Sequence, residues 1–224
     1  MKDCFLLSNP PAGRAMRYMD SYEVYQDLVK GIEEFKFEGD PQPCVLKLTS
    51  DHAVPIFTSP KGHVLLAAAE YGRGRIVVTS HEAYLLGLTA SMRFIENAIE
   101  WLKPYTHAWV GVCGLGDLKD KLSHRGNKAK SVSNYDGTVG VFCRDAYTDS
   151  QVDELLDFVK GGGGLLIGGQ AWWWSSQNTG ADVQTSFPGN KLTGPAGIFF
   201  TNEYGEKGTF RVPTELPLDP SIMP

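Results

Sequence analysis

Apolar positions recur at helical spacing in three stretches of the chain. Tyr25, Leu28, Val29, Ile32 and Phe35 fall three and four apart, which predicts a helix from Tyr22 to Phe35 capped by Ser21. Phe94, Ile95, Ala98, Ile99 and Leu102 share one face of a second helix, from about Ala90 to Leu102, with Pro104 beyond its end. The third helix runs from Asp149 to Lys160 with Val152, Leu155, Leu156 and Val159 on its apolar face. Thr148 is its expected cap, Gln151 completes a capping box, and Gly161 stops it.

Other stretches alternate or run apolar over strand lengths. Cys44 to Thr49 alternates, Val54 to Thr58 is short and β-rich, and Val64 to Ala69 is an unbroken apolar run. Ser59-Pro60-Lys61-Gly62 and Tyr71-Gly72-Arg73-Gly74-Arg75 are turns, the latter leading into a strand from Arg75 to Ser80. After Pro104 the rhythm becomes strand, helix, strand. His107 to Cys113 is followed by a short helix to about Leu122, then by strands at Lys128 to Val132, Thr138 to Cys143 and Leu165 to Ile167. From Ala171 the pattern fades, except for a strand at Gly197 to Thr201. Alternating strands and helices with buried β runs predict an α/β fold, a three-layer, mostly parallel sheet with an added β-hairpin region. Residues 1–20 lack a period and are expected to be a flexible leader, 21–212 one domain, and proline-rich 213–224 a linker-like tail.

Composition narrows the function classes. The 224 residues carry 26 acidic and 21 basic side chains, a net charge of −5, and no dense basic block, which argues against nucleic acid as a partner. Apolar runs are far short of the ~20 residues of a membrane span. The N-terminus is too weakly apolar for a secretory signal. These features point to a protein that is soluble or peripheral to a membrane. Cys4, Cys44, Cys113 and Cys143 form no CxxC pair, so reduced thiols in an intracellular protein are expected.

Glycine is abundant, at 25 residues, which raises the question of a phosphate loop. Gly161 to Gly164 precede a strand, whereas a phosphate loop follows one, so they form a helix stop and turn. Gly111-Val112-Cys113-Gly114-Leu115-Gly116 lacks the dinucleotide spacing. No cofactor is expected. His81-Glu82 begins a zinc-peptidase-like motif, but Leu85 stands where the second histidine belongs, so no metal is expected either. The pair instead falls at the carboxyl end of a strand, where α/β sheets bind ligands or cap edges.

A catalytic elbow would suit Leu165-Leu166-Ile167-Gly168-Gly169-Gln170-Ala171, yet its tip offers no nucleophile. Trp172-Trp173-Trp174 follow directly. Three adjacent indoles cannot share one face, so they either seal the sheet edge or form a recognition surface, or one does each.

Three blocks carry a resemblance. The segment from His63 to Glu82 (His63-Val64-Leu65-Leu66-Ala67-Ala68-Ala69-Glu70-Tyr71-Gly72-Arg73-Gly74-Arg75-Ile76-Val77-Val78-Thr79-Ser80-His81-Glu82), the run Gly161 to Trp174, and Phe187-Pro188-Gly189-Asn190 together resemble the TRP-channel-associated factor (TCAF) family. The match runs in order from about Tyr25 to Phe210. It implies an intracellular regulator that binds the cold- and menthol-sensing TRP-melastatin channel, promotes its delivery to the plasma membrane and modulates its gating. Members are several times longer, with a second copy of this domain and a peptidase-like C-terminal region. The resemblance also implies a glutamine-amidotransferase-like, flavodoxin-like fold. The expectation is therefore a non-catalytic interaction module, cytoplasmic and peripheral to the plasma membrane. Its contact residues would be Trp172, Trp173, Trp174, Gln170, His81 and Glu82, and its partner the channel or trafficking machinery. The alternative is a degenerate or cryptic thiol hydrolase using Cys143 or Cys113 with His81.

Overall fold

The computed structural model describes residues 20–87 and 92–217, so the expected leader lies almost wholly outside the described residues. The chain opens with α1 (Ser21–Val29), where Asp20, not Ser21, is the cap, its Oδ1 accepting the Tyr22 N–H at 2.9 Å. The helix is shorter than its apolar stripe predicts. Gly31 adopts a left-handed φ of +70°, and Phe35 moves into an extended strand, β1 (Glu34–Phe37). Phe35 and Phe37 are fully buried and meet Phe57 at ring-centroid distances of 5.4 and 5.0 Å. Phe35 satisfies both the helical and the alternating period, and tertiary packing decides between them.

Among the described residues the main sheet has nine strands: β2 (Cys44–Leu48), β3 (Ala53–Thr58), β4 (Val64–Tyr71), β5 (Gly74–Thr79), β6 (Val110–Val112), β7 (Ala129–Ser131), β8 (Val141–Asp145), β9 (Gly164–Gly168) and β10 (Ile198–Tyr204). Their order is β10-β2-β4-β5-β9-β8-β6-β7, with β3 paired to β4. The expectation of a mostly parallel sheet is corrected. Strands β10, β2, β3, β4 and β5 pair antiparallel, whereas β5, β9, β8, β6 and β7 pair parallel. Tight turns of the kind read at Ser59 to Gly62 and Tyr71 to Arg75 can join only antiparallel neighbours. A separate ribbon pairs β1 with β11 (Gly208–Arg211). Beyond it the Tyr25 hydroxyl donates to the Pro213 carbonyl, and Leu216 packs on the core.

Alternate residues of the central strands feed two cores. Val77 and Leu166 join α2 (Met92–Leu102) and α3 (Leu118–His124) on one face. Val78, Leu165 and Ile167 join α4 (Val152–Lys160) on the other. Helices thus cover both sides of the sheet. The predicted start of α4 is corrected: Gln151 sits at a left-handed φ of 60° and makes no cap. Its amide instead pairs with both backbone groups of Tyr135, at 2.8 and 2.9 Å.

After β9 come three short helices that sequence periodicity does not show: α5 (Ala171–Gln177), α6 (Val183–Ser186) and α7 (Pro188–Thr193). Here Phe187-Pro188-Gly189-Asn190 acquires a structural meaning. Phe187 is fully buried, Pro188 starts α7, and a side chain on Gly189 would stand 2.8 Å from the Ala146 Cβ. The buried Asn190 amide accepts from the Phe200 N–H at 2.7 Å and donates to the Phe200 carbonyl at 3.0 Å. One side chain thereby occupies hydrogen-bonding positions on the edge strand β10, blocking strand addition there.

Candidate functional site

The carboxyl ends of β5, β9 and β8 bring together the residues singled out by sequence. At the end of β5, His81 caps a short 3-10 turn (Glu82–Leu86), its Nδ1 accepting the Ala83 N–H at 3.0 Å. That bond keeps the ring proton on Nε2, so the 3.2 Å approach of Nδ1 to Glu82 Oε2 is not a hydrogen bond of the neutral ring. Burial lowers the His81 pKa below its ordinary value, opposed by the neighbouring Glu82 carboxylate.

Glu82 is the acceptor of a network. Its Oε2 takes the Tyr147 hydroxyl at 2.7 Å, and its Oε1 lies 3.4 Å from the Gln170 Nε2. The Tyr147 oxygen in turn accepts the Gln170 backbone N–H at 3.0 Å. Burial, with the Glu82 charge beside it, raises the Tyr147 pKa, so the phenol stays a donor. Tyr147 was not singled out by sequence, and it joins β8 to the turns after β5 and β9. The only sequence signal was its position two residues after the β8 strand, at the sheet edge.

Two glycines bring this edge together. An added Cβ on Gly168 would stand 2.3 Å from Thr79 Oγ1, and one on Gly169 2.7 Å from the Ala146 Cβ. The chain then turns into α5, where consecutive side chains project about 100° apart. The tryptophans therefore separate. Trp172 donates Nε1–H to the Gln42 carbonyl at 3.0 Å and packs on Tyr204 at 5.0 Å between centroids. Trp174 meets Phe187 edge-on at 5.6 Å. Trp173 is 45% exposed and stands edge-on to Tyr147 at 5.6 Å. Two indoles seal the edge and one faces outward. Replacing Trp173 and Trp174 together would thus mix surface and packing effects.

The thiols lie elsewhere. Cys143 is fully buried among apolar side chains, which pushes its pKa up. Register pairs Cys143 with Leu166 and Leu166 with Val77, so Cys143 stands two strands, roughly 10 Å, from β5, the strand that leads to His81. Cys113 is one strand further, bound to Cys143 through its backbone N–H, and its Sγ donates to the Ser133 carbonyl at 3.3 Å. Buried Cys44, pushed up to about 12 by desolvation, donates to the Gly169 carbonyl at 3.6 Å. Among the described residues no three His, Cys, Asp or Glu side chains group as metal ligands. No described helix is long and apolar enough to cross a membrane.

Fold and site define a mixed-sheet α/β domain whose carboxyl edge is closed by its own side chains, leaving one indole outward. The chain belongs to the TCAF family: the model of its N-terminal domain, described as TRPM8, N-terminal domain, matches residues 14–192 and 181–223. A TRPM8 channel-associated factor homolog from Xenopus laevis is 45% identical over 90% of this chain and 22% of its own length. Human TRPM8 channel-associated factor 2 is 42% identical over 88% of this chain and 21% of its own. The chain thus spans about a fifth of the length of these relatives. Among solved structures, the IMPa metallopeptidase from Pseudomonas aeruginosa shares the fold, with a TM-score of 0.60 over 88% of this chain and 24% of that one, at 15% identity.

Proposed function

We propose that this chain is a non-catalytic docking module of a channel-associated factor. It binds a TRP-melastatin channel, TRPM8 in the names of its relatives, or the machinery that traffics it. The observation that carries the reading is the exposed Trp173, held against Tyr147 above a partly buried network that offers no nucleophile. Trp and Tyr are favoured at protein interfaces, and an indole fixed by a packed helix loses little freedom on binding. Gln170, His81 and Glu82 shape the platform, while Trp172 and Trp174 anchor α5 beneath it. Such a module alters channel delivery or gating only by binding one channel state, or one carrier, better than another. It works from the cytoplasmic side, peripheral to the plasma membrane.

The strand order supports a glutamine-amidotransferase-like ancestry. Strands β7-β6-β8-β9 repeat the 2-1-3-4 order of flavodoxin-like sheets. The turn after β9 holds Gln170 where an elbow would hold a nucleophile.

Co-precipitation with the full-length channel tests the reading. Wild-type protein is expected to be retained, and Trp173→Ala to lose roughly tenfold or more in affinity, as an interface hot spot would. Its stability should fall by about the worth of the lost edge-on contact with Tyr147, about 0.5–1.5 kcal/mol, with the fold retained. Full retention of a folded Trp173→Ala protein would refute this surface.

A further inference from the structure

The last strand of the sheet presents a serine beside lysines. We propose that Ser131 is phosphorylated by a protein kinase of the class that selects basic residues on the amino-terminal side of its target hydroxyl. The run is Lys128-Ala129-Lys130-Ser131, with lysines three residues and one residue before the serine. Between Asp120 and Asp136 the sequence carries Lys121, Arg125, Lys128 and Lys130 and no carboxylate, on a chain whose net charge is −5. Kinases discriminate substrates by such charge patterns.

The fold leaves this run accessible. Strand β7 ends the sheet and pairs only with β6. Its bonds to β6 use the Lys128 carbonyl, 2.8 Å from the Val110 nitrogen, and the Val132 N–H, 3.0 Å from the Val112 carbonyl. Peptide groups alternate in direction along a strand, so those of Ala129 and Ser131 face the open side. Ser131 is exposed, and among the described residues its hydroxyl has no hydrogen-bond partner. The strand is three residues long and none of them is buried. Residues 133–138, which follow it, are exposed except at Tyr135. An edge held by so few buried contacts opens locally at low cost, and the freed run can enter a kinase cleft extended.

The neighbouring charges assign the recognition to Lys128. Arg125 is paired with Glu96 at 2.5 Å and Lys121 with Asp117 at 3.2 Å. Lys130 donates to the Thr138 hydroxyl and stands 3.7 Å from Asp136. Lys128 is exposed and has no ion pair among the described residues. Lys130 adds to it once the Asp136 pair opens, and an exposed pair of this kind is weak. Lysines on an edge strand also guard against strand addition. That role needs no hydroxyl three residues after Lys128.

In the reaction the γ-phosphoryl group of ATP moves to Ser131 Oγ. The Oγ–P bond forms as the bond between Pγ and the bridging oxygen breaks, ADP leaves, and the hydroxyl proton passes to the kinase's catalytic aspartate. The product adds about −1.5 to −2 of charge at pH 7. The modification does not rest on what Trp173 binds.

The test treats the whole folded chain with ATP and the catalytic subunit of cyclic-AMP-dependent kinase or of protein kinase C, and maps phosphate by mass spectrometry. Incorporation at Ser131 is expected with at least one of them, and none with acid-directed casein kinase 2. Ser131→Ala should abolish it, and Ser133→Ala should leave it unchanged. Lys128→Gln should lower kcat/KM about tenfold or more, the loss of one charge-assisted hydrogen bond to the kinase. Matching thermal transitions verify that the variants fold. No incorporation with either basic-directed kinase would overturn the proposal, as would phosphate only at other residues or an unchanged rate for Lys128→Gln. Incorporation confined to heat-denatured protein would overturn it too, because the fold would then hide the site.

Discussion

The two ends of β5 and β9 use glycine in the same way and reach opposite surfaces. At the carboxyl edge Gly168 and Gly169 let Thr79 and Ala146 approach, and aromatic side chains then fill the space up to Trp173. At the amino edge Gly72 and Gly74 let the Lys160 and Val159 backbone approach, but the space beside them stays open and is lined by charges of both signs, Arg75 near Glu70 and Lys103 paired with Glu100. Close backbone approach is thus a means of construction at both ends. What each end can bind is set by the side chains around the glycines.

The comparison breaks most visibly if the glycines are filled. A Cβ on Gly74 would lie 2.1 Å from the Val159 carbonyl oxygen and 2.2 Å from that of Gly163, both backbone atoms. Gly74→Ala is therefore expected to cost about 3 kcal/mol or more, the top of the overpacking range. Gly168→Ala should cost less, about 1–3 kcal/mol, because its nearest neighbour is the Thr79 hydroxyl, which can rotate away from its bond to the His81 carbonyl. Urea melts of the two variants measure the difference, and the reverse ranking would contradict the packing described.

A smaller effect separates the edges by pH. His81, whose pKa is lowered by burial, binds its proton less readily when folded than when unfolded. Below the ordinary histidine value of about 6.5 the unfolded chain binds more protons, so stability falls as pH drops toward the lowered folded value. His81→Asn keeps a side-chain acceptor for the Ala83 N–H and removes the titration. Thermal melts between pH 7 and pH 5, about the histidine range, should show a steeper loss for the wild type than for this variant. Equal slopes would mean that His81 does not carry the effect.

How much of this was legible in the chain varies by element. Helix α2 and strands β2 to β5 and β9 follow their predicted positions, because period, length and flanking turns agree there. The first helix was read too long because Phe35 fits two periods. Helix α5 was missed because three indoles mask any amphipathic pattern. The Asn190 edge block and the Tyr147 bridge join residues far apart in sequence, and periodicity carries no information about such contacts. At the site, His81, Glu82, Gln170 and the tryptophans were legible as a group. Which indole faces outward was not, since that depends on the helix that Gly168 and Gly169 set in place.

The proposed docking face for the channel is the carboxyl edge, through Trp173. Hydrogen–deuterium exchange of this protein, free and bound to the solubilised full-length channel, tests it most directly. Slowed exchange is expected in α5 and in the segment around Tyr147. Protection confined to other parts of the chain, with α5 exchanging as in the free protein, would contradict it.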